Sequence, residues 1–98
     1  MTTNIIQITN NIFTITRSEG WGYVQHICEF DKDIFELLCT KNVSSPLEGG
    51  NCQVTYHFKI KQTNKPSYIV FIKDFGDKKY ISDNYIYDNN KNVIIRSC

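Results

Sequence analysis

Cys52-Gln53-Val54-Thr55-Tyr56-His57-Phe58-Lys59-Ile60 is the stretch that decides the fold class. Val54, Tyr56, Phe58 and Ile60 share one face of an extended chain, and Gln53, Thr55, His57 and Lys59 share the other. That alternation is the signature of a strand with one buried side. Its apolar face is β-branched and aromatic, which suits a pleated, half-buried surface. Downstream, Lys61-Gln62-Thr63-Asn64-Lys65-Pro66 is a polar turn, and Ser67 to Lys73 is almost continuously apolar. Together the two runs predict an antiparallel hairpin whose second arm is central in its sheet.

Further strands are predicted at Asn11–Thr16, Ile5–Ile8, Tyr23–Phe30, Tyr80–Tyr87 and Asn92–Arg96, with turns at Asn10-Asn11 and Asn89-Asn90. One segment reads differently. Asp31-Lys32-Asp33-Ile34-Phe35-Glu36-Leu37-Leu38-Cys39 opens with a capping Asp and places Glu36 three residues after Asp33. It predicts one short helix of a turn or two, with a strand beginning at Ile34 as the competing reading. Short strands separated by turn signals every ~8–12 residues predict an all-β domain, either a sandwich or a small barrel. The chain has 98 residues, room for a single domain over 1–98 with a thin core.

Composition excludes several functions. The 11 Lys and Arg against 10 Asp and Glu leave a net charge of +1. That balance gives no electrostatic funnel for nucleic acid and no attraction to an anionic membrane. Lysines interleaved with aromatic residues, such as Lys59, Lys73 and Lys79, are offset by Asp74, Asp77 and Asp83. No stretch approaches the ~20 apolar residues of a membrane span. The start, Met1-Thr2-Thr3-Asn4-Ile5-Ile6-Gln7, lacks the basic region of a signal peptide, so a cytoplasmic location is expected.

Cys28, Cys39, Cys52 and Cys98 are expected to be free, buried thiols acting as small hydrophobes. With His26 and His57 they lack the short paired spacing of zinc ligands, so neither metal nor cofactor is expected. A Cys–His nucleophile drawn from Cys28 or Cys52 with His26 or His57 needs an attack geometry that strand spacing does not supply. His26 and Cys28 are face neighbours and no more. Without a phosphate-binding glycine pattern or a nucleophile elbow, the chain is not expected to be an enzyme.

Three loops carry the remaining information. Arg17-Ser18-Glu19-Gly20-Trp21-Gly22-Tyr23 sets the single Trp between two glycines, where display suits it better than burial. Ser44-Ser45-Pro46-Leu47-Glu48-Gly49-Gly50-Asn51 ends in a glycine pair ahead of the best-patterned strand. Lys73-Asp74-Phe75-Gly76-Asp77 puts an aromatic ring beside a glycine in a polar turn.

In this order the three loops resemble those of the chagasin family of cysteine-protease inhibitors. That family's first loop carries Asn-Pro-Thr-Thr-Gly and then an aromatic, of which Gly22 and Tyr23 agree. Its second loop has a Gly-x-Gly-Gly signature, kept here in Gly49 and Gly50, before a strand of alternating aromatics. Its third ends a hydrophobic strand in aromatic-x-Arg-Pro-Trp. Phe71-Ile72-Lys73-Asp74-Phe75 keeps the first aromatic, the positive charge and the final ring.

The resemblance implies an immunoglobulin-like antiparallel β-sandwich that occupies the cleft of a papain-like cysteine protease with three loops. It implies protease contact at Gly20, Trp21, Gly22, Tyr23, Gly49, Gly50, Lys73 and Phe75. Trp21 and Phe75 are then the aromatic anchors, and Lys73 meets acidic groups on the enzyme's rim. A monomer is expected, with no nucleic acid and no membrane as partner. The alternative is a β-sandwich that binds another protein without inhibiting a protease.

Overall fold

The computed structural model describes residues 5–19, 24–44 and 52–97. Eight strands succeed one another: β1 (Ile5–Gln7), β2 (Ile12–Glu19), β3 (Gln25–Phe30), β4 (Phe35–Ser44), β5 (Cys52–Ile60), β6 (Ser67–Asp74), β7 (Lys79–Asp88) and β8 (Val93–Ser97). All pair antiparallel. They form a five-stranded sheet in the order β1-β8-β7-β6-β3 and a three-stranded sheet in the order β2-β5-β4. The fold is the expected all-β sandwich. The order β2-β5-β4 opposite β7-β6-β3 repeats the B-E-D and C-F-G connectivity of immunoglobulin sandwiches. Here β8 is added outside β7 and carries β1 on its far edge.

The alternation in β5 does what it predicts. Val54, Tyr56, Phe58 and Ile60 are all buried, and Phe58 is 0 % exposed. Phe13 and Ile15 of β2 join them from the same sheet, while Ile69, Phe71, Tyr85, Tyr87 and Ile94 come from the opposite one. Rings bridge the two layers edge to face: Phe30 with Phe58 at 5.3 Å, Tyr56 with Phe71 at 5.0 Å, and Phe35 with Tyr87 at 6.0 Å between centroids. Such contacts add to the burial of large apolar surfaces and fix the spacing of the sheets.

Two sequence expectations are corrected. β5 and β6 do not form a hairpin: β5 pairs with β2 and β4, whereas β6 pairs with β3 and β7. Both arms have a buried face, so their pattern specifies strands without specifying partners. The six-residue connection over 61–66 is long enough to cross the ~10 Å between packed sheets. As expected, β6 is an interior strand.

There is also no helix among the described residues. Asp31 does cap a turn, since its Oδ1 accepts the Asp33 N–H at 2.9 Å and its carbonyl accepts those of Ile34 and Phe35 at 3.1 and 2.9 Å. The turn stops after one round because Ile34 and Phe35 both enter the core. From Phe35 onward the backbone satisfies the open edge of β5 instead. The competing strand reading is within one residue of the observed start.

Asn10 and Asn11 both adopt left-handed φ, 53° and 62°, in a two-residue turn closed by Thr9 and Ile12. Asn tolerates that region better than other residues with a side chain. The turn sends the chain from one sheet to the other.

Phe58 touches four core rings, namely Phe13, Phe30, Phe35 and Tyr56. Phe58→Ala is expected to lower the unfolding free energy by about 3–5 kcal/mol, measured by urea denaturation.

Candidate functional site

The antiparallel registers bring particular strand ends together. In the smaller sheet, Glu19 at the end of β2 and Ser44 at the end of β4 both lie opposite Cys52 at the start of β5. In the larger sheet, Asp74 at the end of β6 lies opposite both Gln25 at the start of β3 and Lys79 at the start of β7. The connection from Glu19 to Gln25 is short, so these two sets of ends share one end of the sandwich. The segments 20–24, 45–51 and 75–78 all leave from it.

Beneath that end lies a charged cluster in the interior. Arg17 follows Phe13 and Ile15 on the inward row of β2, and its side chain is 5 % exposed. Its guanidinium gives two hydrogen bonds to Asp83 Oδ2, at 3.1 Å from Nε and 2.9 Å from Nη2. Nη1 reaches Glu19 Oε2 at 3.0 Å, and Nη2 also reaches Ser82 Oγ at 2.8 Å. Ser82 Oγ in turn donates to the Phe71 carbonyl, and the Tyr56 hydroxyl donates to Glu19. Asp83 is held from the other side by Arg96. The guanidinium carbon sits over the Phe71 ring, 4.3 Å from its centroid. One cation thus ties the two sheets together just below the candidate loops, with carboxylates on both sides and four hydrogen bonds from its five N–H groups.

The third loop is described in full. Asp74 Oδ1 accepts the Gly76 N–H at 2.8 Å, and the Phe75 N–H donates to the Lys78 carbonyl at 2.8 Å. Gly76 has φ of 94°, which a side chain would strain even though the space around it is open. The turn displays Phe75, 45 % exposed, edge-on against Tyr80 with ring centroids 5.8 Å apart. Lys73 is half-buried, between His26 and Tyr80 in register. Among the eight residues expected to touch a protease, Lys73 and Phe75 are therefore placed together at this end. Gly20, Trp21, Gly22, Tyr23, Gly49 and Gly50 lie outside the described residues.

Tyr80 and Arg17 are the residues that sequence reasoning missed. Tyr80 becomes a partner of Phe75 only once the β6–β7 register is known. Arg17 carried a readable signal, because strict alternation after Phe13 and Ile15 places it indoors, and an indoor charge needs partners.

The thiols and histidines offer less. Cys28, Cys39 and Cys52 are free, and Cys39 is exposed where a buried thiol was expected, because it sits on the outward face of edge strand β4. Cys98 lies outside the described residues. Cys28 points inward, and burial pushes its thiol up to about 12 against the pull of Arg17. A thiol held protonated that far is a poor nucleophile at neutral pH. Burial likewise raises Tyr56, assisted by Glu19, as well as Tyr85 and Tyr87. No cluster of three or more metal-ligating side chains occurs among the described residues, and no helix there is long and apolar enough to cross a membrane.

In comparison with known proteins, no family model, no curated protein and no solved structure matches the chain.

Arg17→Ala leaves Glu19 without its cation and Asp83 with Arg96 alone, and is expected to cost about 3 kcal/mol in chemical denaturation. A second expectation concerns pH. Cys28 loses its proton near 9 when unfolded and near 12 when folded, so the folded form holds the proton more tightly between those values. Its stabilisation is complete below about pH 9 and disappears as pH rises toward 12. Urea titrations across that window should show falling stability, and Cys28→Ala should delay the fall until the tyrosines ionise.

Proposed function

We propose that this sandwich inhibits papain-like cysteine proteases by filling the active-site cleft with segments 20–24, 45–51 and 75–78. The observation that supports this most is the common end from which all three segments leave. A second support is the exposed Phe75–Tyr80 pair at that end, with Lys73 beside it. Large rings at the centre of an interface carry a disproportionate share of binding energy.

An inhibitor of this kind needs no catalytic group. It needs loops held in shape, so that little conformational freedom is lost on binding. The Arg17 cluster supports such rigidity, because it fixes β2, β5 and β7 to one another directly below the loops. In this reading Gly20 and Gly22 let the backbone pass close to the enzyme's thiol, and Gly49 and Gly50 shape the second loop across the cleft. Trp21 and Phe75 anchor in apolar subsites, Tyr23 is a further contact, and Lys73 faces acidic groups on the rim.

The test is a titration of papain and of a cathepsin L-type enzyme with the purified chain and a fluorogenic substrate. Sub-micromolar, reversible inhibition is expected. Trp21→Ala and Phe75→Ala should each weaken it by about 2 kcal/mol or more, at unchanged melting temperature. A folded sample that leaves both enzymes active at tens of micromolar would overturn the reading and assign the loops to a different protein partner.

A further inference from the structure

We propose that the outward face of the five-stranded sheet is a self-association surface, on which a second copy of this chain docks face to face with its strands antiparallel. The starting point is the outward row of β7, which is Lys79, Ile81, Asn84, Ile86 and Asp88. Alternation alone would not give that row. The register passes from Phe71 opposite Asp83 to Ile72 opposite Ile81, so Ser82 is an extra, bulged residue. Ser82 and Asp83 both turn inward, where Arg17 holds them. Two outward positions therefore remain on each side of Asn84.

The strands beside β7 extend the row into an apolar face. On β6 the outward residues are Tyr68, Val70, Ile72 and, at its end opposite Lys79, Asp74, and on β8 they are Val93 and Ile95. Ile27 on β3 and Ile5 on β1 continue it toward the edges. Much of this surface meets water: Ile81 is 69 % exposed, Tyr68 58 %, Ile5 49 % and Ile86 42 %. Five strands at ~4.8 Å spacing and about five residues of length give a face of about 400 Å² in projection. Side-chain relief brings that to roughly 700 Å² of accessible surface per copy, close to the ~800 Å² per partner of a standard interface. Monomers rarely leave so large an apolar patch uncovered.

The arrangement of charge identifies a second copy as the occupant. Lys79 and Asp88 close the β7 row at opposite ends, and the residues between them carry no charge. A two-fold axis through Asn84, lying across the strands, stacks the row on itself in reverse. Ile81 then meets Ile86 of the other copy, and Lys79 meets Asp88 at both ends. The parallel stack would instead set Lys79 against Lys79 and Asp88 against Asp88. Sheets pack about 30° from aligned, an offset that the long Lys79 side chain spans. On the axis, Asn84 faces its own counterpart, an uncharged residue against an uncharged residue. A dimer of this kind, in place of the expected monomer, would point its two loop ends in opposite directions.

Sedimentation equilibrium of the full chain tests this. A dimer with a dissociation constant in the micromolar range is expected. Ile86→Lys, on an exposed position, should weaken association by about 100-fold or more while the circular dichroism spectrum and melting temperature stay put. Lys79→Glu should weaken it about tenfold at low salt, and added salt should recover most of that loss by screening the new repulsion. A chain still monomeric at about 200 µM overturns the proposal and leaves the face to a different protein. A dimer that survives Ile86→Lys overturns it too, and one indifferent to Lys79→Glu overturns the antiparallel arrangement.

Discussion

A single guanidinium inside the sandwich governs the rest. Arg17 occupies a position that the pattern of β2 reserves for a core side chain, and the interior responds by supplying two carboxylates, a hydroxyl and an aromatic face. Each of those partners comes with a structural consequence. Asp83 and Ser82 can both point inward only because β7 bulges between them and Ile81. Glu19 is drawn to the end of β2, where it also receives the Tyr56 hydroxyl of β5. The charge is expensive to desolvate and is tolerated because the surrounding hydrogen bonds are nearly complete.

Much of the fold was legible because β5 and β2 alternate so cleanly. Where one face must be buried, period two leaves little choice about orientation. What alternation cannot convey is partnership. Residues 61–66 looked like a hairpin turn and instead carry the chain between layers, since a strand's own sequence does not record which neighbour it finds. The segment after Asp31 showed the limit of local signals. Its capping interaction is present, yet Ile34 and Phe35 are worth more in the core than a second helical turn is worth outside it.

The candidate site divides along the same line. The glycines, the Trp and the exposed Phe75 stood out by composition, because turn chemistry is local. The grouping of their loops at one end is a property of sheet order, which emerges only from the pairing of Glu19, Ser44 and Cys52 on one side and Gln25, Asp74 and Lys79 on the other. Tyr80 stayed invisible for the same reason. The β7 bulge has effects on both surfaces of its sheet: it delivers Asp83 to Arg17 inside and keeps Ile81 and Ile86 evenly placed about Asn84 outside.

The pairing of β1 with β8 carries a consequence for how the molecule is made. Ile5 lies opposite Ile95, so β1 has no ladder partner until β8 has been made. During synthesis, β2, β4 and β5 can close their three-stranded layer while the sequence for β8 is still being added. The larger layer has to wait for its outermost pair, and contacts so distant along the chain form slowly. The order of assembly is therefore small sheet first, with the β1–β8 edge last.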